Sequence, residues 1–247
     1  MHHNGALMAT LPPLVKPTKA DDAYDELKRL IVSLQIAPGE PLNERTLMTM
    51  MDVGRTPLRE AIQRLAMEQL VTSLPRRGYF VRELSISELN EMIAARHVVE
   101  PAVTRMAVQN LTAADIAGLR DLVEVTRCEL ELEHHEAGIY HDFEFHQTIA
   151  NACGNRFLAA VATQINTRLL RYWYVSFSML NYEPPTFDHH DVLLNVIESR
   201  DADAVEAAMH DHIEIFRDRM RQIVGNNAGF PARRELANAG MSMLSAR

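Results

Sequence analysis

Asp142 and His146 stand four residues apart, a spacing that on a helix sets a carboxylate and an imidazole on one face, beside Ile139 and Ile149. His190 shares a face with Leu193, Leu194 and Ile197, and His212 with Val205, Ala208, Met209 and Phe216. Imidazoles and a carboxylate turned into a bundle core from facing helices are a common way to build a metal site. Three histidines and one aspartate suit Zn²⁺, with Ni²⁺ or another first-row ion as the alternative, and any remaining position is open to water or ligand. The same set could also activate a bound water in a metallohydrolase, but no HExxH motif and no separate general base accompany it. The chain has 11 histidines, so some fall on apolar faces by chance. For any single one, a packed or surface role is the ordinary reading, and His134, His135, His141, His189 and His210 are left under it.

A second constellation is cationic. Arg55, Thr56 and Arg59 cluster at the start of a helix expected over Thr56 to Leu70, and Arg45 lies near the start of the helix before it. Arginine can bridge guanine O6 and N7 bidentately, and a threonine hydroxyl or helix N-terminal amide can hold a phosphate. On charge alone, a solvated face of an unrelated helical domain explains these arginines equally well.

The elements that must position these residues can be read from spacing. Tyr24, Leu27, Leu30, Ile31 and Leu34 follow a helical period that stops at Ala37-Pro38-Gly39. Asn43 offers an N-cap for a short helix through Met51, and Leu58, Ala61, Ile62 and Leu65 form one face of the third helix, with Pro57 tolerated in its first turn. Two β-prone runs, Leu70 to Leu74 and Tyr79 to Arg82, flank the turn Pro75-Arg76-Arg77-Gly78 and predict a hairpin. Three helices and a hairpin make a winged helix-turn-helix, whose third helix would enter the DNA major groove. From Ser85, helical periods predict six helices, over 85–108, 112–136, 138–152, 155–178, 187–199 and 201–224, with Ser85-x-x-Glu88 and Thr112-x-x-Asp115 as capping-box starts. The expected fold is thus mainly α, with an N-terminal winged helix and a C-terminal all-helical bundle. The expected divisions are a flexible arm over 1–19, a DNA-binding domain over 20–82, a helical domain over 83–224 and a mobile tail over 225–247. Asn181 to Pro185 is expected to be an internal loop.

Composition agrees with two partners of different sign. The 247 residues carry a net charge of −8, yet residues 1 to 82 are net +2 and the remainder net −10. Within Leu42 to Arg82 all seven basic residues are arginines. Such asymmetry suggests an anionic partner for the N-terminal part. Two cysteines, Cys128 and Cys153, exclude a disulfide framework, and the lack of any long apolar run or secretory leader points to a cytoplasmic protein with no membrane partner.

Three motifs in order, Pro38-Gly39-Glu40-Pro41-Leu42, Val53-Gly54-Arg55-Thr56-Pro57-Leu58-Arg59-Glu60-Ala61 and Pro75-Arg76-Arg77-Gly78-Tyr79-Phe80-Val81, resemble the winged-helix domain of GntR-type transcriptional regulators. The resemblance implies contacts to operator DNA from Arg45, Arg55, Thr56 and Arg59, with Gly78 letting the wing backbone approach the minor groove. Gly54 stands where the family usually has a hydroxyl residue, so a side-chain cap is lost. Asp142-Phe143-Glu144-Phe145-His146, Asn155, and His190 and His212 at eleven residues on either side of Asp201 resemble the metal-binding FCD effector domain of the FadR subgroup. That resemblance implies a metal held by Asp142, His146, His190 and His212. His189 stands where a glutamate is usual and leaves an ambiguity with His190. It further implies a small carboxylate effector near the metal, for which Arg96 is a candidate clamp, although an ion pair with Glu100 one turn on is an equal reading. Arg168, Arg171, Tyr172 and Trp173 are further pocket candidates, with core or dimer surface as the other reading of that helix. The function expected is a dimeric, ligand-responsive regulator that binds a palindromic operator; the metallohydrolase is the alternative.

Overall fold

The computed structural model describes residues 17–132, 134–179 and 188–227. Most of the expected arm, the Asn181 to Pro185 loop and most of the tail lie outside them. The chain begins with α1 (Lys19–Val32), α2 (Glu44–Met51) and α3 (Arg55–Met67), followed by β1 (Val71–Leu74) and β2 (Gly78–Val81). Thr18 and Asp21 close a reciprocal capping box on α1, and the Asn43 side chain accepts from the Arg45 and Thr46 amides at the start of α2. Gly54 is the N-cap of α3 and supplies no side-chain cap.

β1 and β2 are antiparallel, pairing Val71 with Val81 and Leu74 with Gly78. Gly78 takes φ +92°, which favours glycine at the turn. The hairpin is wider than the sequence spacing predicts. The Gly39 amide donates to the Val81 carbonyl at 2.9 Å, the Leu42 amide donates to the Tyr79 carbonyl at 2.8 Å, and Pro41 bridges Phe80. The segment before α2 therefore lies along β2 and ties the wing to the helices.

Six helices follow: α4 (Ile86–Ala107), α5 (Ala113–Glu131), α6 (His135–Ala152), α7 (Arg156–Met179), α8 (Asp188–Ser199) and α9 (Ala202–Asn227). Ser85 caps α4 by accepting from the Glu88 amide, and Thr112 and Asp115 bond reciprocally at α5. The helix α4 packs on α9 and α7, α6 on α5 and α7, and α8 on α9 and α5. Tyr172, Phe145 and Phe216 are among the largest fully buried side chains at the centre of these contacts.

The winged helix rests on α7. Leu34 and Ala37, just after α1, pack against Val175 in a small buried cluster. The connection into α4 is also held by α7. Arg171 donates to the Arg82 carbonyl, Tyr172 reaches Ser85, and Arg168 pairs with Glu88. Arg82 pairs with the same Glu88 at 3.2 Å. Arg168, Arg171 and Tyr172 thus secure the interdomain connection, while Trp173 lines a small cavity beside His146.

Candidate metal centre and DNA-facing surface

Helix α6 places Asp142 and His146 one turn apart, α8 supplies His190 and α9 supplies His212. All three histidines are buried, and one ring nitrogen from each lies within 4.8 Å of the others. His146 Nε2 is 3.2 Å from His212 Nε2, and His190 Nε2 is 3.3 Å from Asp142 Oδ1. Of the two adjacent histidines, His190 turns into the core beside Phe145 while His189 stays partly exposed.

This much buried polarity needs an explanation, because uncompensated polar atoms in a core are costly. His146 Nδ1 and His212 Nδ1 make no hydrogen bond among the described residues. Burial, with the Arg96 guanidinium beside the cluster, depresses His146 and His212 well below the usual imidazole range and brings His190 to about 3. The rings are therefore neutral, the form that ligates a metal. Burial raises the Asp142 carboxyl to about 7, against the opposing pull of Arg96. Two imidazole nitrogens in near contact and a third beside a carboxylate form a donor set that fits a divalent ion.

Arg96 is part of this arrangement. Its Nε lies 2.9 Å from Glu100 Oε2, its Nη2 is 3.1 Å from His146 Nε2, and its guanidinium covers the Phe216 ring. The ion pair with Glu100 is present, and the same guanidinium touches His146 in the cluster. Glu100 Oε2 also sits 3.6 Å from His146 Nδ1. A carboxylate on that side of the ring is the usual partner that orients a metal-ligating histidine. Sequence spacing pointed to Glu100 as a partner of Arg96 but gave no sign of its proximity to His146. A cavity of about 10 Å³, bounded by Arg96, Asp142, His146, Asn166, Leu170 and Trp173, adjoins the cluster. It has room for about one water molecule.

At the other end of the molecule, Arg45, Arg55, Thr56 and Arg59 are all exposed on α2 and at the start of α3, and Gly78 is exposed at the wing turn. Glu44, the first residue of α2, lies 3.1 Å from the Arg59 Nε and 3.8 Å from the Arg55 Nε. It gathers both guanidiniums at the N-terminal end of α3. Nothing in the spacing of Glu44 signalled that contact.

A three-helix winged domain with arginines at the start of its third helix, fused to a helical bundle, defines a winged-helix transcriptional regulator. The sequence profile described as "Bacterial regulatory proteins, gntR family" matches residues 19–81, and the FCD domain profile matches residues 91–215. The chain belongs to the GntR family and carries an FCD domain. It is 28% identical over 221 residues to the HTH-type transcriptional repressor RspR of Escherichia coli, covering 89% of this chain and 97% of that one. It is 28% identical to the Nta operon transcriptional regulator of Aminobacter aminovorans, covering 79% and 91%. It is 24% identical to the gluconate operon transcriptional repressor of Bacillus subtilis, covering 80% and 83%. Among solved structures, Escherichia coli McbR/YncC shares the fold with a TM-score of 0.75 at 20% identity, covering 83% of this chain and 98% of that one. A transcriptional regulator GntR from Rhodococcus does so with a TM-score of 0.70 at 20% identity, covering 84% and 98%. The relatives are transcriptional regulators, which answers the hydrolase alternative: this is not an enzyme family. No helix among the described residues is long and apolar enough to cross a membrane.

Proposed function

We propose that the protein is a metal-containing, effector-responsive repressor of the FadR subgroup that acts in the cytoplasm and binds a palindromic operator as a homodimer. The DNA-binding domain is taken as residues 20–82 and the effector domain as 83–224. Arg45, Arg55, Thr56, Arg59 and Gly78 face the DNA. Asp142, His146, His190 and His212 hold a divalent ion, Zn²⁺ foremost, with Ni²⁺ or another first-row ion as the alternative. The observation that carries this reading is the convergence of three buried, neutral imidazoles beside Asp142. The bound ion would supply a Lewis-acidic point for an anionic ligand, and Arg96 stands beside it for a carboxylate.

The small cavity gives the effector a mechanical consequence. At about 10 Å³ it admits no carboxylic acid without displacement of its walls. Four of its walls, Asn166, Leu169, Leu170 and Trp173, belong to α7. The same helix holds the connection to the winged helix through Arg171 and Tyr172. A ligand that binds the displaced arrangement better shifts the population toward it, and with it the placement of the winged helices. The operator should be two-fold symmetric if the dimer is.

The test is metal content per chain by elemental analysis, followed by a thermal-shift screen of small carboxylates with and without metal. Carboxylates that raise the melting temperature of the metal-loaded protein alone support the reading by mass action. Metal-free protein that cannot be loaded overturns it. Arg96→Ala is a poor probe, because it strands Glu100 as an uncompensated buried charge, a loss of about 3 to 5 kcal/mol. Arg96→Gln with Glu100→Gln keeps a neutral hydrogen-bonding pair and is the variant of choice.

A further inference from the structure

A second pair of imidazoles meets across the seam between α4 and α9, outside the buried centre. His97 Nδ1 and His210 Nδ1 lie 3.4 Å apart, with the two rings within 17° of parallel. Two nitrogens each 2.0 to 2.1 Å from a tetrahedral zinc ion are about 3.3 Å apart, so the observed separation is close to one edge of such a site.

The surroundings orient His97 for ligation. Glu214, one turn after His210 on α9, places its Oε1 2.8 Å from His97 Nε2. A carboxylate this close favours a proton on Nε2 by its charge, and that tautomer leaves the lone pair on Nδ1, facing His210. A metal-ligating histidine ordinarily has such a carboxylate on its far nitrogen. Arg217 bonds Glu214 at 2.6 Å and holds it in place. His210 is exposed, and a groove of about 520 Å³ lined by Asn90, Ile93, His97, Arg217 and Met220 opens beside the pair, so an ion and its waters can reach it.

We propose that His97 and His210 ligate a divalent first-row transition ion at the surface, independently of the buried centre, with Glu214 as the residue that positions His97 and water in the remaining positions. The ion would cross-link α4 to α9, the helices that carry Arg96 and His212.

Equilibrium dialysis of the full chain against Zn²⁺ at neutral pH, with elemental analysis of the bound ion, tests this. At saturating free zinc the wild type should hold one more ion per chain than His97→Gln/His210→Gln. His146→Ala/His212→Ala should lose the buried ion and keep the surface one, so the two sites are separable. Other exposed histidines are common to all three proteins and cancel in the comparison. His210→Gln alone changes an exposed side chain and guards against a folding defect; it should lower the count as the double variant does. Glu214→Gln should weaken the surface site about 10- to 100-fold. Equal zinc in wild type, His210→Gln and the double variant would overturn the proposal.

Discussion

Tyr172 on α7 straddles the backbone of Ser85, its hydroxyl 3.2 Å from the Ser85 carbonyl oxygen and 3.4 Å from the Ser85 amide nitrogen. Burial pushes the phenol up to about 12, so it stays protonated and donates to that carbonyl at any physiological pH. Arg171 donates to the Arg82 carbonyl three residues earlier. Two neighbouring side chains of one helix therefore hold the peptide that enters α4. Tyr172→Phe keeps the packing and removes only the hydroxyl. It should cost about 1 kcal/mol in stability and speed tryptic cleavage at Arg82 in limited proteolysis. A cleavage rate equal to wild type would show that the connection is held without Tyr172.

Glu44 makes the exposed arginines at the start of α3 a prearranged group. Arg55→Ala should weaken operator binding by about 1 to 3 kcal/mol, the value of one bidentate base contact, and leave metal content unchanged. Glu44→Gln removes the carboxylate that competes with DNA for Arg55 and Arg59. It should tighten binding to any duplex and reduce the preference for the operator, because the guanidiniums lose their fixed placement. Gel-shift titrations with operator and scrambled duplex at two salt concentrations measure both effects, and an unchanged affinity in Arg55→Ala would show that α3 is not the reading helix.

The fold was legible wherever a local rule governs it. Asn43, Ser85 and Thr112 are caps in sequence and caps in structure, and the helical periods predict most helices to within a few residues; the helix expected over 112–136 ends instead at Glu131, and α6 begins at His135. The i, i+4 pair Asp142 and His146 was visible for the same reason. What could not be read depends on contacts between distant segments. Adjacent residues on a helix point about 100° apart, so only the packing of α8 on α9 decides that His190, and not His189, enters the cluster. Tyr172 meets Ser85 across 87 positions, and Arg59 meets Glu44 across 15, with no periodic pattern to announce either. Pro41 lies along β2 because the Gly39 turn, at φ +76°, directs the chain there.

Asp21 gives the winged helix a pH dependence of definite sign. Hydrogen bonds from the Thr18 backbone and hydroxyl, with Arg64 beside it, hold its carboxyl down at about 2, below an ordinary value of 3.8. A folded pKa lower than the unfolded one means that its stabilisation is present in full above 3.8 and is lost as pH falls through about 2. Asp21→Asn should therefore lower the melting temperature at neutral pH, and the difference from wild type should narrow between pH 4 and pH 2. A difference independent of pH over that window would place the effect in packing instead of charge.

The metal assignment makes the strongest demand on stability. His146, His190 and His212 are neutral rings buried together beside Asp142, a costly arrangement in a core that a bound ion would offset. An ion that binds only the folded chain stabilises it by mass action, about 2.7 kcal/mol at one hundred times the dissociation constant. Chelation should therefore lower the melting temperature of the wild type, and zinc should restore it. His212→Ala should bind less metal and lose most of that chelator-sensitive shift, while its far-ultraviolet circular dichroism stays that of a helical protein. His189→Ala, altering the partly exposed neighbour of His190, should retain both the metal and the shift. If chelation leaves the wild-type melting temperature where it was, or if His212→Ala carries as much metal as wild type, the three imidazoles are a packed polar cluster and not a metal site.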